Sequence, residues 1–274
     1  MNRDNLGNRM KGYENIERRY LPARAPLIIR LDGVHFHSFT RGFEKPFDES
    51  FLWCMRMTMQ ALCNNIMGAK LGYTQSDEIT ILLTDDDTIE TDPWFGKNLQ
   101  KIVSVSAAMA THYFNIYVND VCYMRGLDTP VGQIHASQGL TSAYYHNKLA
   151  IFDARAFVVP REEVLNVFEW RQQDCVRNSI QAVGQYYFSQ KELDHKSCND
   201  IQNMLFTEKG INWNDYPTAL RRGACAIKVP TEIATPEGET LIRNKWKIDT
   251  EIPIFHQHPE YINDLVYHRS VRQV

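Results

Sequence analysis

The chain has 274 residues, of which 43% are hydrophobic and 23% are charged, and its formal net charge is −3. This composition is typical of a globular protein with a full core, and the small charge argues against a wholly basic surface without excluding a local patch for nucleic acid. No apolar run approaches the roughly 20 residues of a membrane span, the polar N-terminus does not resemble a secretory signal, and the six scattered cysteines include no Cys-x-x-Cys pair. We therefore expect a cytoplasmic protein with reduced thiols and no membrane partner.

The first part of the chain predicts an arm, a strand and a helix. Residues 1–22 are polar and charged and indicate a helical arm. Leu27–Leu31 is typical of a buried strand, because only one charged residue interrupts its apolar run. Asp48 is placed to cap a helix whose apolar side chains recur at helical spacing as far as Ile66, and Gly68 is a typical residue for its end.

A hairpin and a second helix follow. Leu71–Gln75 and Ile79–Leu83 are strand-like, and the polar Ser76-Asp77-Glu78 between them is typical of a hairpin tip. The acidic segment 84–92 is most simply interpreted as a solvated loop. Gly96–Val118 carries apolar residues on one side and predicts a helix.

The second half of the chain is less regular. The apolar residues of segment 119–148 show no clear helical or strand periodicity, which predicts an irregular inserted loop. Leu149–Val159 predicts a strand, and residues 161–189 predict a helix in two pieces. Arg221–Val229 predicts a late strand, and residues 230–274 predict an irregular tail.

This order of elements predicts an α+β fold, in which helices flank a small antiparallel sheet in a ferredoxin-like arrangement. A parallel Rossmann sheet is disfavoured, because the sequence contains no Gly-rich dinucleotide loop or phosphate-binding P-loop. No repeat or Gly/Ser linker marks an internal boundary. We therefore expect one domain over residues 1–228, including the arm and the insertion, and a C-terminal extension over residues 229–274.

Two acidic segments are predicted to meet at one edge of the sheet. Asp32 ends the first strand, while Asp77 and Glu78 lie at the hairpin tip, so adjacent strands would bring the three carboxylates together. Like charges this close repel by several kcal/mol unless a cation lies among them. Oxygen ligands suit Mg²⁺. Gly33 would let the backbone approach the metal site closely, so its carbonyl oxygen could be a further ligand. The alternative is an ordinary Asp-Gly turn and a solvated hairpin tip.

Seven segments between about residue 26 and residue 228 carry distinctive motifs. They are RLDGVHFHSF (30–39), FEKPFDE (43–49), GYTQSDEITILL (72–83), IFDARAFVVP (151–160), EWRQQDCVRNS (169–179), MLFTEKGINWN (204–214) and RRGA (221–224). In this order and at this spacing they resemble the tRNA(His) guanylyltransferase family, which includes the related 3′-to-5′ RNA polymerases.

The resemblance implies a palm-like domain similar to that of ordinary polymerases, used in the opposite chemical direction. Members of the family are nucleotidyltransferases that add a nucleotide to the 5′ end of tRNA, at the acceptor stem, with two Mg²⁺ or Mn²⁺ ions. The 5′ end carries a triphosphate or is activated by adenylylation, and the 3′-hydroxyl of an incoming nucleoside triphosphate attacks it. The resemblance therefore implies GTP and ATP as substrates, tRNA as the partner and a homotetramer as the assembly.

The acidic residues receive roles from the resemblance. Carried over by position, Asp32 and Asp77 would ligate both metals, the Gly33 carbonyl would assist, and Glu78 would support the site. Two metals stabilise the attacking and leaving oxygens and lower the pKa of the attacking hydroxyl. The predicted catalytic residues are therefore Asp32, Asp77 and Glu78, and the predicted metal ligands are Asp32, Gly33 and Asp77.

The resemblance also implies a set of nucleotide-binding residues. They are His37, Lys45, Asp48, Ser76 and Lys101. A helix cap explains Asp48 equally well, a tight turn would suit Ser76, and a lysine such as Lys101 is common on an amphipathic helix. His35 falls at a variable family position and is therefore interpreted as structural or solvent-facing. A metal site built from His35 and His37 is not expected, because magnesium prefers oxygen ligands to imidazole.

Basic and amide side chains in the later motifs are candidate RNA-binding residues. They are Arg155, Arg171, Arg177, Asn178, Asn212, Arg221 and Arg222. The arginines suit contacts with tRNA phosphates, and Asn212 matches an asparagine linked to activation of the tRNA end. The alternatives are ordinary surface arginines and a helix-internal pair of Arg171 with Asp174.

The sequence departs from the eukaryotic members after the Asp-Cys motif. Their His-Ile-Asn-Asn sequence is replaced by Val176–Ser179, where only Asn178 stays in register, and a family lysine near Ile201 is not matched. These groups are associated with recognition of tRNA(His), so the resemblance favours a bacterial, archaeal or viral relative that repairs truncated tRNA by templated addition over a dedicated guanylyltransferase. The alternatives are another palm-type enzyme, such as a nucleotidyl cyclase, and a non-catalytic RNA-binding palm protein.

Overall fold

Six strands form one sheet in the part of the chain that this computed structural model describes, residues 5–123, 136–234 and 240–267. The strands are β1 (Leu27–Gly33), β2 (Ala69–Gln75), β3 (Glu78–Leu83), β4 (Phe152–Val158), β5 (Ala224–Ala234) and β6 (Thr240–Asp249). Their order is β4-β1-β3-β2-β5-β6, and neighbours are antiparallel throughout. The first four strands have the order of a ferredoxin-like palm, which confirms the predicted fold class.

Helices cover both faces of this sheet. The helices of the described ranges are α1 (Asn5–Ile16), α2 (Phe36–Phe39), α3 (Glu49–Asn65), α4 (Leu99–Tyr123), α5 (Gln138–Tyr145), α6 (Val164–Tyr187), α7 (Gln190–Leu193), α8 (Cys198–Lys209), α9 (Thr218–Arg222) and α10 (Glu260–Tyr267), with 3₁₀ turns at Trp94–Lys97, Arg161–Glu163 and Trp213–Asp215. Helices α3 and α4 pack on one face, and α6 and α10 pack on the other. Helix α8 packs against the far half of α6 in a separate small core.

Strand β1 is buried on both faces. Leu27 and Ile29 pack towards α3 and α4, whereas Ile28 packs towards α6. A strand covered on both sides is apolar on both, which explains the nearly unbroken run in the sequence. The predicted strand and hairpin are confirmed, and their register places Asp32 opposite Glu78.

The C-terminal residues are more regular than expected. Strand β5 continues to Ala234, β6 pairs with it, and α10 follows, so the expectation of an irregular tail over 230–274 is wrong for the described residues. Ile252, Phe255 and Ile262 are buried and extend the core on the α6 face. The end of the chain therefore contributes to the central packing of the protein.

The predicted irregular loop at 119–148 is helical at both of its described ends. Helix α4 runs on to Tyr123. Helix α5 begins after Ser137, whose hydroxyl accepts a hydrogen bond from the Leu140 N–H at 3.1 Å. Residues 124–135 lie outside the described ranges, so the rest of this prediction is untested.

Two further expectations concern the second half of the chain. Residues 161–189 are helical, and a 3₁₀ turn leads directly into one long helix, α6. The expected boundary after residue 228 falls inside β5, and the division into a domain and an extension stays a prediction. Among the described helices, none is long and apolar enough to cross a membrane.

The acidic segment after β3 is the solvated loop expected from its composition only in its second half, where Ile89, Glu90 and Asp92 are exposed, whereas its first half is held by ion pairs. Three consecutive aspartates pair with cations from three other elements: Asp85 with Lys97, Asp86 with Arg161, and Asp87 with Lys70. The segment therefore joins the end of β3 to the rest of the fold.

The pair of Lys97 and Asp85 is buried, with side-chain exposures of 3% and 5% and an N–O separation of 3.0 Å. The Lys97 ammonium also donates to the carbonyls of Pro22 and Ala25, at 2.8 and 2.7 Å. Asp85 accepts the N–H of Arg24 at 2.8 Å. Lys97 therefore fastens the N-terminal arm to the sheet.

Replacing Lys97 with Met should destabilise the fold by about 3–5 kcal/mol, because Asp85 would stay buried without a counter-charge. Urea denaturation followed by circular dichroism measures the change. Lys70→Met is the matched control, since it removes a partly exposed pair worth about 0–1 kcal/mol. Equal losses in the two variants would contradict the role of Lys97 as a buried anchor.

Candidate active site

Two acidic segments meet where β1 ends beside the hairpin of β2 and β3. Asp32 lies opposite Glu78 of β3 on one side and opposite Asp153 of β4 on the other. The N–H of Gly33 donates to the carbonyl of Asp77 at 3.2 Å and ties the strand end to the hairpin tip. The structure therefore brings together the acidic segments that the sequence places 45 residues apart.

The hairpin tip consists only of Ser76 and Asp77, because Gln75 and Glu78 already pair across the strands. A connection this short requires unusual backbone angles, and Ser76 has a φ of 49°, in the left-handed region that favours glycine. Its hydroxyl donates to the Asp77 carboxylate at 3.1 Å. Ser76 therefore orients Asp77, at a cost in backbone strain of about 1–2 kcal/mol.

Asp32 and Asp77 repel each other electrostatically. Burial raises the pKa of Asp77, and the negative charge of Asp32 raises it further. Neither carboxylate has an ion-pair partner within residues 5–123, 136–234 and 240–267. Two carboxylates without a protein cation fit a hard divalent ion such as Mg²⁺.

A closed metal cage is not formed by side chains in the described part of the chain, where no group of three or more His, Cys, Asp or Glu residues is arranged to hold an ion. Magnesium commonly takes one or two protein carboxylates and completes its shell with water and substrate phosphates. The candidate donors are therefore Asp32 and Asp77, with the Gly33 carbonyl as a further oxygen.

Glu78, in contrast, is neutralised by the protein itself. Arg171 of α6 donates to both of its carboxylate oxygens, at 2.9 and 3.2 Å, and Arg30 lies 4.0 Å away. The ring of Trp170 lies 3.6 Å from the Arg171 guanidinium and 5.4 Å from that of Arg30. Burial raises the pKa of Glu78, and the charges of Arg171 and Arg30 oppose that shift. Glu78 thus belongs to a buried network beside the open pair.

The lack of a side chain at Gly33 is required by packing. A Cβ atom there would lie 2.3 Å from the ring of Phe36, which is buried at the start of α2. Because Gly33 has no Cβ atom, the Phe36 ring can pack directly on its backbone, which allows a tight turn from β1 into α2. The reason expected from the sequence, an approach of the backbone to a ligand, stays a prediction.

A cavity of about 380 Å³ opens beside the hairpin tip, between α2, α3 and α6. It is lined by six of the predicted site residues: His37, Lys45, Asp48, Ser76, Asp77 and Asn178. Its size is in the range of pockets for small organic ligands. The nucleotide-binding candidates other than Lys101 are therefore gathered around one cavity.

Asp48 lines this cavity, but its carboxylate is fully engaged within the protein. It accepts the N–H groups of Phe51 and Glu44, at 2.9 and 3.1 Å, and the hydroxyl of Ser50 at 2.7 Å. It is the N-cap of α3, as the sequence predicts. The cap alone accounts for this residue, and a contact with nucleotide stays a prediction.

His37 and Lys45 present exposed side chains at the same cavity. His37 Nε2 lies 3.1 Å from the Ser38 hydroxyl and shares a hydrogen bond with it. His35 is also exposed and has a φ of 56° immediately before α2, which agrees with its interpretation as solvent-facing. Of the two histidines, His37 alone lines the cavity.

Arg56 of α3 is a cation in the cavity wall that the sequence motifs do not include. Its side chain is 16% exposed, and among the described residues its ion-pair partner is the exposed Glu49, at 3.7 Å. Burial lowers the pKa of Arg56, and Glu49 opposes that shift. Helical spacing would have found it, because Leu52 and Arg56 lie one turn apart and both line the cavity.

Lys101 and Arg155 lie away from the cavity walls. The Lys101 ammonium is 5.9 Å from the ring of Phe95, and Arg155 pairs with Asp153 at 3.6 Å. Both side chains are exposed. Their predicted contacts, with a triphosphate and with RNA, stay predictions.

Arg171 does not fit the exposed RNA-binding role expected for it. The residue is 5% exposed, and its guanidinium contacts Glu78, Trp170 and, at 3.4 Å, Asp174. An RNA phosphate could reach it only by displacing these groups. Arg171 therefore supports Glu78, and its contact with Asp174 agrees with the alternative of a helix-internal pair. Its contact with RNA stays a prediction.

The other RNA candidates lie on or next to α6 and α9. Arg177 forms an ion pair with Asp174, and Asn212 caps the 3₁₀ turn that follows it. The Arg221 guanidinium lies 5.6 Å from the centre of the Trp213 ring. Arg222 is half-buried, and burial and then the charge of Arg221 lower its pKa. Their contacts with RNA stay predictions.

Comparisons with known proteins agree with this geometry. A family model described as tRNAHis guanylyltransferase matches residues 7–160, more than half of the chain. The tRNA(His) guanylyltransferase of Debaryomyces hansenii is 29% identical over 232 residues, which cover 80% of this chain and 78% of that protein.

Two solved structures are similar over almost the whole chain. A bacterial tRNA(His) guanylyltransferase-like protein in complex with ATP is 44% identical, has a TM-score of 0.80, and covers 96% of this chain and 99% of its own. Another such structure, in complex with GTP, is 41% identical with a TM-score of 0.77, over 97% of this chain and 100% of its own. Both the sequence and the fold of this chain are therefore similar to those of the two bacterial structures.

Replacing Arg171 with Met should destabilise the metal-free protein by about 3 kcal/mol near neutral pH, because Glu78 would lose its main counter-charge. The pKa of Glu78 in the folded state is raised and would rise further, so its ionised form opposes folding. The loss should therefore grow as the pH rises through that pKa and shrink where Glu78 is protonated. Urea denaturation in EDTA at about pH 5 and about pH 7.5 measures this difference.

The control is Arg177→Met, which removes an exposed arginine of the same helix and should cost less than about 1 kcal/mol. A loss at Arg171 that is the same at both pH values would show that packing, and not neutralisation of Glu78, is the role of this side chain.

Proposed function

Because the chain belongs to the tRNA(His) guanylyltransferase family and is a nucleotidyltransferase of that kind, we propose that it adds nucleotides to the 5′ end of tRNA in the 3′-to-5′ direction. The observation that carries the proposal is the pair of Asp32 and Asp77. These two carboxylates repel each other and have no protein counter-ion in the described chain, and Asp77 lines a cavity of suitable size for a nucleotide.

Asp32 and Asp77 are the residues that would hold two divalent ions, with the Gly33 carbonyl as a further ligand. Bound Mg²⁺ or Mn²⁺ stabilises negative charge on the attacking and leaving oxygens of phosphoryl transfer and lowers the pKa of an attacking hydroxyl. The protein's own part is to hold the carboxylates together against their repulsion. It does so through the hydrogen bond from Gly33 to Asp77 and the hydroxyl of Ser76.

The nucleoside triphosphate is proposed to lie in the cavity, with its phosphates towards Asp77. Lys45 and His37 are exposed there and can donate to phosphate oxygens, and Arg56 adds a cation in the wall. The similar bacterial structures in complex with ATP and GTP support both nucleotides as substrates here. Lys101, outside this cavity, is assigned to the triphosphate of an activating ATP.

Templated extension of a 5′-truncated tRNA is proposed as the reaction, rather than dedicated guanylylation of tRNA(His). Val176 stands where the eukaryotic motif has a histidine, and the remaining Asn178 lines the nucleotide cavity. A nucleotidyl cyclase would need no RNA and is disfavoured by the extent of the family match. A non-catalytic RNA-binding protein is disfavoured by the presence of both Asp32 and Asp77.

The proposal includes a homotetramer in the cytoplasm with the tRNA acceptor stem as its partner. The exposed Arg177 and the half-buried Arg221 and Arg222, on or beside α6 and α9, are assigned to phosphates of that stem.

Replacing Asp77 with Asn should reduce nucleotide addition by about 10³-fold or more, since several kcal/mol of charge stabilisation depend on the metal that it would hold. The change also removes the repulsion with Asp32, so the stability of the metal-free protein should not fall. Incorporation of labelled nucleotide and urea denaturation measure the two effects.

The matched control is Glu44→Gln, which removes an exposed carboxylate from the same cavity rim and should leave addition within about threefold. Full activity of the Asp77 variant would end the assignment of Asp77 as a catalytic residue. A large loss of stability in that variant would assign it a structural role.

An incorporation assay distinguishes templated repair from guanylylation. The protein is incubated with Mg²⁺, labelled GTP and one of two forms of tRNA(His), either mature or without its first nucleotide. Repair predicts preference for the truncated form, and the added base should change when its template partner is changed. Addition of G opposite an unpaired base would indicate guanylylation. Formation of a cyclic nucleotide without tRNA would indicate a cyclase, and Asp77→Asn is the inactive control.

A further inference from the structure

Helix α5 packs directly behind one wall of the cavity. Gly139, in its first turn, lies against the backbone of Gly42 and Phe43. A Cβ atom at Gly139 would lie 2.5 Å from the Gly42 carbonyl oxygen and from the Phe43 Cα atom, and 2.6 Å from the Phe43 nitrogen. Carbon atoms in contact are normally about 3.5–4.0 Å apart, so a larger residue would force one of the two backbones to move.

A chain of buried hydrogen bonds joins the same two parts of the molecule. The N–H of Ser137, the N-cap of α5, donates to the Ser50 hydroxyl at 3.1 Å, and that hydroxyl donates to the Asp48 carboxylate at 2.7 Å. Asp48 in turn accepts the N–H of Glu44 at 3.1 Å. Ser50 and Ser137 are 2% and 5% exposed. The start of α5 is therefore connected to both ends of the segment between Glu44 and Asp48.

This segment forms much of the cavity wall. Residues 43–48 all line the cavity, and they include Lys45, which is proposed to contact the nucleotide phosphates. Within residues 41–48, only Phe43 and Asp48 are buried. A segment with so little buried surface of its own is easily displaced, so its position depends on the residues that pack behind it.

Helix α5 is the more firmly anchored side of this contact. Its Leu140 and Ala143 are 0% and 2% exposed, in the core to which α4 also contributes. The Ser137 hydroxyl accepts the N–H of Leu140 and fixes the first turn of the helix. A methyl group added at Gly139 would therefore displace residues 42–43 more readily than it would displace α5.

We propose that α5 positions this segment for nucleotide binding, and that Gly139 and Ser50 are the positioning residues through which it acts. In the described chain neither residue lines the cavity, so each acts through the segment that carries Lys45. Small errors in the placement of a binding group weaken its interaction strongly. The inference rests on the proposed place of the nucleotide in this cavity. Asp32 and Asp77 lie on other elements, so the carboxylate pair itself should be unaffected.

The test is the dissociation constant of GTP in the presence of Mg²⁺, measured by isothermal titration calorimetry on the full-length protein without tRNA. Gly139→Ala should raise this constant by about tenfold or more, because the added methyl group displaces residues 42–43. Ser50→Ala should raise it by about threefold or more, because Asp48 loses its link to α5. At saturating GTP, addition to truncated tRNA should stay within about threefold in both variants, since the loss is one of binding.

Gly184→Ala is the matched control. A Cβ atom at Gly184 would lie 2.7 Å from the Cγ2 atom of Ile201, so this change also overpacks a helix contact, but between α6 and α8 and outside the cavity lining. It should leave the dissociation constant of GTP within about twofold. Urea denaturation followed by circular dichroism measures the stability of all three variants.

A loss of stability in Gly139→Ala with an unchanged dissociation constant would overturn the inference, because α5 would then have a structural role alone. If Gly139→Ala does not fold, an unchanged constant in Ser50→Ala overturns it instead. An equal rise in Gly184→Ala would also overturn it, because the effect would then not be specific to α5.

Failure of the proposed function gives a different result. An unaltered protein that binds GTP but adds no nucleotide to tRNA would contradict the proposed reaction, and the binding constants of the variants would still decide the role of α5. An unaltered protein that binds no GTP would overturn both.

Discussion

The register of β1 against β3 is the constraint on which the site depends. Side chains alternate along a strand, so a slip of one residue would exchange the faces of the whole strand. Arg30 lies on the α6 side, near Glu78 and Trp170. A slip would move its charge onto the face where Ile29 and Leu31 are buried against α3 and α4, and this cost opposes the slipped arrangement. The same pairing brings Asp32 opposite Glu78. Ordinary core packing therefore determines where the carboxylates lie.

Acidic groups at this strand end have two different environments. Glu78 is paired with Arg171 and Arg30, which balance the effect of its burial. Asp32 and Asp77 repel each other electrostatically, and neither is paired with such a cation in the described chain. The fold thus holds an unfavourable pair of like charges in place while it neutralises their neighbour. Uncompensated charge of this kind is typical of functional sites and is rarely retained for stability.

Local features were predictable from the sequence, and tertiary contacts were not. The cap at Asp48 and the tip at Ser76 depend on residues within a few positions, which a sequence pattern contains. The partner of Glu78, in contrast, comes from 93 residues away, and only the packing of α6 on the sheet brings Arg171 there.

The C-terminal elements and the acidic loop were missed for similar reasons. Strand β6 is mostly exposed and carries charged residues, so it lacks the apolar alternation of a half-buried strand. The aspartates after β3 look solvated because their cations come from β2, from the turn before α4 and from the turn before α6. The family resemblance implied several residues that line the cavity, but it did not include Arg56, which belongs to none of the motifs. Helix α6 has a further consequence, since Arg171 supports Glu78 while Cys175 and Asn178, four and seven positions later on the same side, line the cavity. One residue inserted between them would rotate the rest of the helix by about 100° and take one group or the other off that side. Substitutions of exposed residues on this helix should therefore be tolerated far more readily during evolution than insertions or deletions between Arg171 and Asn178.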